Sequence, residues 1–597
     1  MNNITIEENK DITGFTTFGI PVKARYFAEY SSEKELLKLS RTDEFIDNEI
    51  LHIGGGSNLL FCEDFNGLVL HSKIKGITRY DKDDETVFAI AGAGEKWTDF
   101  VAWCLRNGLE GVENLAGIPG EVGASAIQNV GAYGVEAADL IHAVECFDTV
   151  NRTTRRFTNA ECRFGYRDSI FKHELKGRFI VLRVSYRLKP GTTARHLGYG
   201  PLRDLAHRLG HAPSTSELAE EVVRIRNSKL PDPENIGSAG SFFKNPVISS
   251  GLHREIERMS GETVPCHNVG DNNVKLSAAW LIDHAGMKGY CEGGAVVYEK
   301  QPLVIANNGN ATADDVVRLA DAVRKAVRDK FLVTLQPEVN YIDTTITVTV
   351  LGSGTSKGVP EVGCHCSVCT SPFEKDKRLR ASVLIRTHGL NIMIDVSPDF
   401  REQALKHEIE DIDVALITHE HFDHVGGIDD LRPFCAMRPL PLYVRPDVDS
   451  HLRKRLDYCF RDKPYPGVPH FDMKIIGNNP FYIDGLKIVP IEVLHGKLPI
   501  FGYRIGSFAY VTDAKTISDV EKEKLENLDV LVINALRDTE HFAHFTIDEA
   551  LELIKEVKPK CAYLTHFSHE AGRHHDLERR LPKNVFAAYD GLSFKIN

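Results

Sequence analysis

The sequence predicts an α+β architecture in two consecutive parts that meet near residue 344. Three observations predict it. The chain has 597 residues, roughly twice the size at which a single hydrophobic core stops growing. Hydrophobic residues make up 42% and charged residues 26%, the balance of globular domains rather than of a disordered chain. Of the 25 histidines, ten precede residue 345 and fifteen follow it. Enrichment of this kind points to metal or acid–base chemistry in the second part.

Charge and cysteine usage exclude several classes. A net charge of −12 and a pI near 6.1 leave no global basic footprint for nucleic acid. No apolar run is long enough for a membrane span. Met1 to Lys10 is polar and acidic, without the apolar stretch of a signal peptide. Twelve cysteines are too few for a disulfide scaffold of this length. Cys364, Cys366 and Cys369 cluster, and the others are scattered singly. The reading is a cytosolic protein with reduced thiols, in which the cluster binds metal rather than forming a disulfide.

The elements follow in order. Residues 1–230 alternate β-rich runs, such as Val69-Leu70 and Phe88-Ala89-Ile90-Ala91, with glycine turns. Between such runs, Trp97 to Asn107 is helical. Glu217 to Lys229 reads as a charged amphipathic helix stopped by Pro231. Helical periodicity is read over 272–287 and 312–330, the second opening with Thr312 and Asp315 at capping distance. Leu335 to Val339 is extended. Ile346, Val348 and Val350 then alternate with threonines as a period-2 strand.

In the first part, Gly54-Gly55-Gly56-Ser57-Asn58 follows a strand-like His52-Ile53. Successive backbone N–H groups in such a turn can cradle a phosphate, and a plain tight turn has the same composition. No helix clearly follows, so this is not a GxGxxG dinucleotide fingerprint. A second run, Gly117-Ile118-Pro119-Gly120-Glu121-Val122-Gly123-Ala124-Ser125-Ala126, leads into Gln128-Asn129-Val130-Gly131-Ala132-Tyr133-Gly134. Small residues permit close packing around a flat or phosphorylated ligand. Tyr166-Arg167-Asp168-Ser169 and Gly240-Ser241-Phe242-Phe243-Lys244-Asn245-Pro246 come next.

In that order, and from about Thr17 to Tyr341, these motifs resemble the UDP-N-acetylenolpyruvoylglucosamine reductase family. The resemblance implies FAD held by two subdomains within 1–230 and a substrate-binding subdomain with a C-terminal catalytic strand over 231–344. It also implies NADPH as the reductant and a UDP-sugar as the substrate. The two glycine runs then supply the flavin contacts: Gly54, Gly55, Gly56, Ser57, Asn58, Gly117, Ile118, Pro119, Gly120, Gly123 and Ala124. Hydride addition to an enol ether conjugated to a carboxylate makes an enolate-like species that needs charge stabilisation and a proton. Arg167 matches the stabilising arginine, Ser241 the proton donor and Glu338 the third catalytic residue. Lys229 resembles a substrate-anchoring lysine, suited to a pyrophosphate. Tyr199, Asn245 and Gln301 align with further substrate contacts. Val122 to Ala126 departs from the family's paired glycines, though alanine and serine remain small.

In the second part, the apolar strand Asp413 to Thr418 ends in His419-Glu420-His421-Phe422-Asp423-His424. Residues two apart in extended chain face one side, so His419 and His421 can share a metal, and the following turn aims Asp423 and His424 at another. Imidazole with carboxylate suits zinc, iron or manganese. This motif resembles the metallo-β-lactamase superfamily, whose fold is an αββα sandwich, expected here over 345–597. The resemblance implies two divalent metals, zinc or manganese. His419, His421 and His495 would hold one, Asp423, His424 and His566 the other, with Asp513 between them. Cys364, Cys366, Cys369 and His569 would form a closed tetrahedral zinc site, an arrangement that resembles the phosphoribosyl 1,2-cyclic phosphate phosphodiesterases. His544 resembles the histidine that protonates the leaving group. His365, His541, His574 and His575 are expected at the surface. Two other readings of this part stand: a tRNA 3′-end nuclease, which the acidic balance does not favour, and a metal-stabilised scaffold for the reductase. The substrate expected is a small phosphodiester.

Overall fold

The alternating apolar runs pair into sheets. The computed structural model describes residues 4–173, 175–232, 235–270, 272–343, 345–435, 439–461, 467–483 and 486–596. It divides into two compact units, Met1–Asp343 and Thr344–Asn597.

In the first unit, β1 (Ile6–Asp11), β2 (Lys23–Tyr30), β3 (Ile50–Ile53) and β4 (Phe65–Ser72) form one sheet in the order β1-β2-β4-β3. β4 is central, and Leu68, Val69 and Leu70 are fully buried because both its faces are covered. A second sheet holds β5 (Ile77–Asp83), β6 (Thr86–Gly92), β7 (Ile141–Asp148), β8 (Thr153–Thr158) and β9 (Phe179–Pro190), in the order β8-β7-β9-β6-β5. Helix α1 (Trp97–Arg106) lays Trp97, Phe100, Val101 and Cys104 into the core beside that sheet. Short helix α2 (Val122–Gln128) is built from the second glycine run. Its small residues allow close approach: a Cβ on Gly123 would stand 2.9 Å from that of Ala93.

Helix α3 (Thr215–Lys229) starts with a reciprocal cap in which Ser214 and Glu217 satisfy each other's backbone N–H, worth about 1 kcal/mol. A separate core contains α4 (Ala278–His284), β10 (Ala295–Val297), β11 (Ile305–Asn307) and α5 (Ala313–Phe331). α5 carries the Thr312–Asp315 capping box. The chain then returns to the first sheet's neighbourhood: β12 (Asn340–Ile342) pairs in parallel with Leu59–Phe61, just after the first glycine turn. The helix expected over 272–287 is corrected. Asn273–Leu276 is a strand paired with Val247–Ser249, and the helix begins only at Ala278. Val274 and Leu276 alternate with polar residues, and sheet pairing outweighs their fit to a helical period.

In the second unit, two sheets stack face to face. The first holds β13 (Ile346–Gly352), β14 (Ser382–Thr387), β15 (Leu390–Ile394), β16 (Val414–Leu416) and β17 (Leu440–Val444), followed past helix α6 (Pro446–Arg455) by β18 (Phe471–Ile475). The second holds β19 (Phe481–Ile483), β20 (Leu486–His495), β21 (Leu498–Ile505), β22 (Phe508–Val511) and β23 (Val530–Asn534), then, past helix α7 (Ile547–Val557), β24 (Cys561–Thr565) and β25 (Val585–Ala587). The last strand, β26 (Ser593–Ile596), closes the first sheet against β13. Alternation decides the layers. Ile392 and Ile394 face the inter-sheet core with Ile488, Tyr503 and Tyr510, while Met393 between them faces the outer layer with Val448 and Leu452 of α6. Ile547, Ala550 and Leu553 of α7 cover the outer face of the second sheet. The result is the four-layer αββα arrangement.

Candidate active sites

The two glycine runs of the first unit meet. A Cβ on Gly55 would lie 3.0 Å from Gly120 Cα, and Ser57 Oγ donates to Pro119 O at 3.4 Å. Gly56 has φ +60°, and a Cβ there would stand 1.9 Å from Phe15 O, so only glycine fits. Among the described residues, the backbone N–H groups of Gly55, Gly56 and Ser57 have no partner within the protein. Free N–H groups between two closely packed loops are the donor set a phosphate needs, so the residues present fit a flavin dinucleotide. Ala124 joins them, since a Cβ on Gly54 would stand 3.6 Å from its Cβ, while Gly117 packs toward Val223 and Arg226, and Asn58 leads away. The Asn58 side chain donates to Glu338 O at 3.1 Å, and Asn58 O accepts from Asn340 N at 3.0 Å. The first glycine turn is thereby tied to the segment just before β12 that carries Glu338.

Glu338 meets Arg167 across the unit. Arg167 Nε lies 3.0 Å from Glu338 Oε1, and Arg167 Nη2 donates to Gly131 O at 2.6 Å. Arg167 has φ +56°, a conformation that costs a non-glycine residue about 1 kcal/mol or more. Neighbouring contacts hold it there. Asn129 donates to Gly165 O at 2.7 Å, and Ser169 donates to Ile127 O at 2.7 Å, so the loop is pinned to the end of α2. Gln128 Nε2 donates to Glu338 Oε1 at 3.2 Å, and Lys172 Nζ donates to Gln128 Oε1 at 2.9 Å. Lys172 thus fixes which way the Gln128 amide faces. Burial, aided by the charge of Lys244, pushes Lys172 down to about 8.

Ser241 is half-buried and precedes Phe242, whose carbonyl accepts from Glu338 N at 2.8 Å. The serine therefore sits on the segment docked against Glu338. Asn245 Oδ1 accepts from Ala278 N at 2.9 Å, which holds the start of α4. Tyr199 is exposed, with its ring 5.9 Å from that of Tyr133. Lys229 is exposed at the end of α3. Gln301 lies in the turn between β10 and β11, bonded to Tyr298 and Val304. Among the described residues, no recorded contact joins Tyr199, Lys229 or Gln301 to Arg167 or Glu338. Gln128 and Asn129 carry no special sequence signal beyond their place in the second glycine-rich run, and Lys172, three residues past Ser169, carries none. Gly131→Ala tests the arrangement, because a Cβ there would stand 2.9 Å from Arg167 Nη1. Flavin content should stay intact while reduction of the enolpyruvyl substrate slows by up to about a hundredfold, read by comparing flavin absorbance with substrate turnover.

In the second unit the strand ends deliver side chains to one edge of the sandwich. His495 closes β20, Asp513 follows β22 and His566 follows β24. Asp513 and His566 have φ +55° and +61°, backbone strain of the kind that clusters at functional sites. One atom from each of His419, His421 and His495 lies within 4.8 Å of the others, and the same holds for Asp423, His424, Asp513 and His566. His495 Nδ1 lies 2.9 Å from Asp513 O and 3.0 Å from Ala543 O. Both are carbonyl oxygens, so Nδ1 donates and Nε2 keeps its lone pair.

The donor set fits metal. His419 Nε2 is buried without a hydrogen-bond partner, a state otherwise costing about 1–3 kcal/mol, while His424 Nε2 faces Asp423 Oδ2 at 3.2 Å and Asp513 Oδ2 at 3.1 Å, and His566 Nε2 faces Asp513 Oδ1 at 3.2 Å. Burial pushes His419 well down, keeping its imidazole neutral as ligation requires. Burial also opposes charge on His424, yet Asp423, Asp513 and Asp395 together outweigh it and push this histidine well up. Its proton offsets surplus carboxylate charge that a cation would neutralise.

Asp395 went unnoticed in the sequence. It is fully buried, its Oδ2 lies 2.6 Å from His424 Nδ1, and it accepts from Thr418 N at 2.8 Å. It orients a histidine as outer carboxylates orient metal ligands; the only signal is an apolar strand, Ile392 to Ile394, ending in aspartate. His544 is nearly buried with Nδ1 3.5 Å from Asp513 Oδ1, and it forms a third group with His495 and Asp513. Burial pushes it down to about 3. It is placed either to hand on a proton or to ligate.

Cys364 Sγ and Cys366 Sγ each lie 3.3 Å from His569 Nδ1, and the four atoms of Cys364, Cys366, Cys369 and His569 lie within 4.8 Å of one another. The backbone N–H of Cys369 and then His569 pull Cys366 down to about 6, toward the thiolate a metal takes. Three thiols and an imidazole are a zinc donor set, and Glu361 stands 3.4 Å from His569 Nε2 as an orienting carboxylate. His365 and His575 are exposed as expected. His574 is not: it is buried, with its backbone N–H donating to Asp376 at 2.7 Å and its ring against Tyr589. The buried Arg378 network closes over it. His541 is half-buried, its ring 4.9 Å from that of His544.

Fold and sites define a flavin-binding reductase unit followed by a metallo-β-lactamase unit. Family models agree: residues 24–155 match an FAD binding domain, 232–342 the C-terminal domain of UDP-N-acetylenolpyruvoylglucosamine reductase, and 390–567 a beta-lactamase superfamily domain. The UDP-N-acetylenolpyruvoylglucosamine reductase of Neisseria gonorrhoeae is 43% identical over 345 residues, covering 58% of this chain and 99% of the relative. That of Porphyromonas gingivalis is 41% identical over 339 residues, 56% of this chain and 99% of the relative. Among solved structures, a diphosphatase of the PhnP family is 38% identical, covering 43% of this chain and 98% of its own, with a TM-score of 0.40. The reductase from Thermus caldophilus is 25% identical, covering 57% and 98%, with a TM-score of 0.40. The chain belongs to the UDP-N-acetylenolpyruvoylglucosamine reductase family, and its N-terminal half carries that reductase function. Among the described residues, no helix is long and apolar enough to cross a membrane.

Proposed function

We propose that one chain joins two active sites: an NADPH-dependent reductase making UDP-N-acetylmuramate for peptidoglycan, and a two-metal phosphodiesterase. The reductase site is assigned to Arg167, Ser241 and Glu338, with flavin held by residues 1–230 and the UDP-sugar by 231–344. Lys229, Tyr199, Asn245 and Gln301 are its further substrate contacts. FAD, reduced by NADPH, supplies the hydride. As hydride reaches the terminal carbon of the enolpyruvyl group, negative charge develops toward its carboxylate. Arg167 faces that charge, and its guanidinium is held by Glu338 and Gly131 O. Ser241 delivers the proton to the neighbouring carbon, which completes the reduction. The observation that carries this reading is the Arg167–Glu338 contact between motifs 171 residues apart in sequence. A purified chain should be yellow and should bleach with NADPH; a colourless chain that cannot be reconstituted with FAD contradicts it.

In the second unit, two divalent metals at the His419–His421–His495 and Asp423–His424–Asp513–His566 groups would supply hydroxide near neutral pH and neutralise phosphoryl charge. A water oxygen joins phosphorus as the ester P–O bond breaks, and we assign His544, with Nδ1 3.5 Å from Asp513 Oδ1, to protonating the departing oxygen. The buried, unpartnered His419 Nε2 and the Asp423 and Asp513 carboxylates that converge on His424 Nε2 carry this reading. A scaffold has no need of them, and nothing in the structure favours a tRNA nuclease. The cysteine site is assigned a structural zinc. Cys366→Ser should remove about one zinc per chain and lower the melting temperature of the second unit by several degrees, measured by metal analysis and thermal melting. The setting we assign is the cytosol, where thiols remain reduced.

A further inference from the structure

We propose that the second unit acts on phosphodiesters bearing a nucleoside, whose base stacks on Phe422 in the cavity beside His421. The proposal rests on the hydrolase reading above. The cavity holds about 600 Å³ and is lined by His421, Phe422, Lys454 and Arg455, with Leu452 behind them. It therefore opens from the metal-binding edge itself, because His421 belongs to both.

Its chemistry is mixed in a particular way. Phe422 is 60% exposed although it directly follows His421. One edge of the ring lies against Gly426, where a Cβ would stand 3.0 Å from its Cζ; the rest faces solvent, and a flat ligand would cover it. The Arg455 guanidinium stands 5.9 Å from the ring centroid, at the edge of cation–π range. Arg453, two residues before Arg455, is engaged by Asp449. Among the described residues, Lys454 and Arg455 have no ion pair. The His451 imidazole takes one oxygen of the Glu420 carboxylate at 3.3 Å while Glu420 Oε2 is buried without a partner, and neither draws in Lys454 or Arg455, so these cations of the lining remain available to an anion. A second exposed ring lies near His495, outside the lining of this cavity. Phe542 is 82% exposed, and its Cδ2 lies 3.8 Å from where a Cβ on Gly496 would be, next to His495.

An aromatic face with adjacent cations is the combination that binds a base together with its phosphate. A sugar phosphate without a base would use Lys454 and Arg455 and leave Phe422 idle.

The test compares two chromogenic diesters on the full chain: thymidine 5′-(4-nitrophenyl phosphate) and ethyl 4-nitrophenyl phosphate. The wild type should prefer the thymidine ester in kcat/KM by about tenfold or more, the scale of one stacked base. Phe422→Ala should erase that preference, mainly through KM, and Arg455→Met should reduce it. Calorimetric titration with thymidine 5′-monophosphate gives a readout independent of turnover: affinity should fall about tenfold in Phe422→Ala. Equal use of both esters by the wild type, or an unchanged preference in Phe422→Ala, overturns the proposal while leaving the hydrolase reading standing. Failure to cut either ester overturns the hydrolase reading. Nucleotide affinity that Phe422→Ala leaves unaltered overturns the cavity assignment whichever way the activities fall.

Discussion

Asp423→Ala should lower phosphodiester hydrolysis about a thousandfold or more. The figure follows from removing a direct metal contact, since charge stabilisation by a bound cation supplies several kcal/mol and each 1.4 kcal/mol is tenfold in rate. Asp423 Oδ2 stands 3.2 Å from His424 Nε2, and Asp513 Oδ2 stands 3.1 Å from the same atom. Without Asp423, one carboxylate fewer faces that group, and the cation it would hold is bound less tightly. NADPH oxidation with the enolpyruvyl substrate should continue unaltered, because Asp423 lies in the other unit. Hydrolysis and NADPH oxidation measured on one preparation check both halves of the expectation. Retained hydrolysis would remove Asp423 from the metal site.

Ser241→Ala should slow product formation by about 10²–10⁴-fold, the range of a positioned proton donor. Stopped-flow reduction of the flavin by NADPH should proceed at the wild-type rate, because the serine enters only when the substrate is protonated. The reoxidation phase with substrate should carry the whole loss. Equal slowing of both phases would point instead to damage in the flavin pocket, and normal reoxidation would exclude Ser241 as the donor.

Much of this was legible because it is local. The glycine turns, the Asp413-to-His424 strand and turn, and the cysteine cluster each place their chemistry within a few residues, where period and spacing speak directly. His495, Asp513 and His566 were legible as polar residues ending apolar strands, which is where the sandwich exposes its edge. Contacts between distant segments were not. Gln128 reaches Glu338 across 210 residues, and Lys172 holds both the Gln128 amide and the Arg167 carbonyl. Asp395 was missed because an aspartate after a short apolar strand usually begins a turn; the buried His424 that gives it meaning lies 29 residues on. His574 looked like a surface residue in a charged helix, yet the closure of the Arg378 network buries it. The segment over 272–287 is ambiguous in sequence because Val274 continues the Ala278–Leu281 stripe at helical spacing while also alternating with Leu276 at a strand's period, and only the partner strand decides.

The central claim is that one polypeptide holds a flavin site and a metal centre. Elemental analysis of the purified chain, alongside its flavin absorbance, tests it most directly. The account predicts about one FAD and about three divalent metals per chain, with one metal lost in Cys366→Ser and the flavin unaffected. A yellow chain that binds no divalent metal under any loading condition would contradict it.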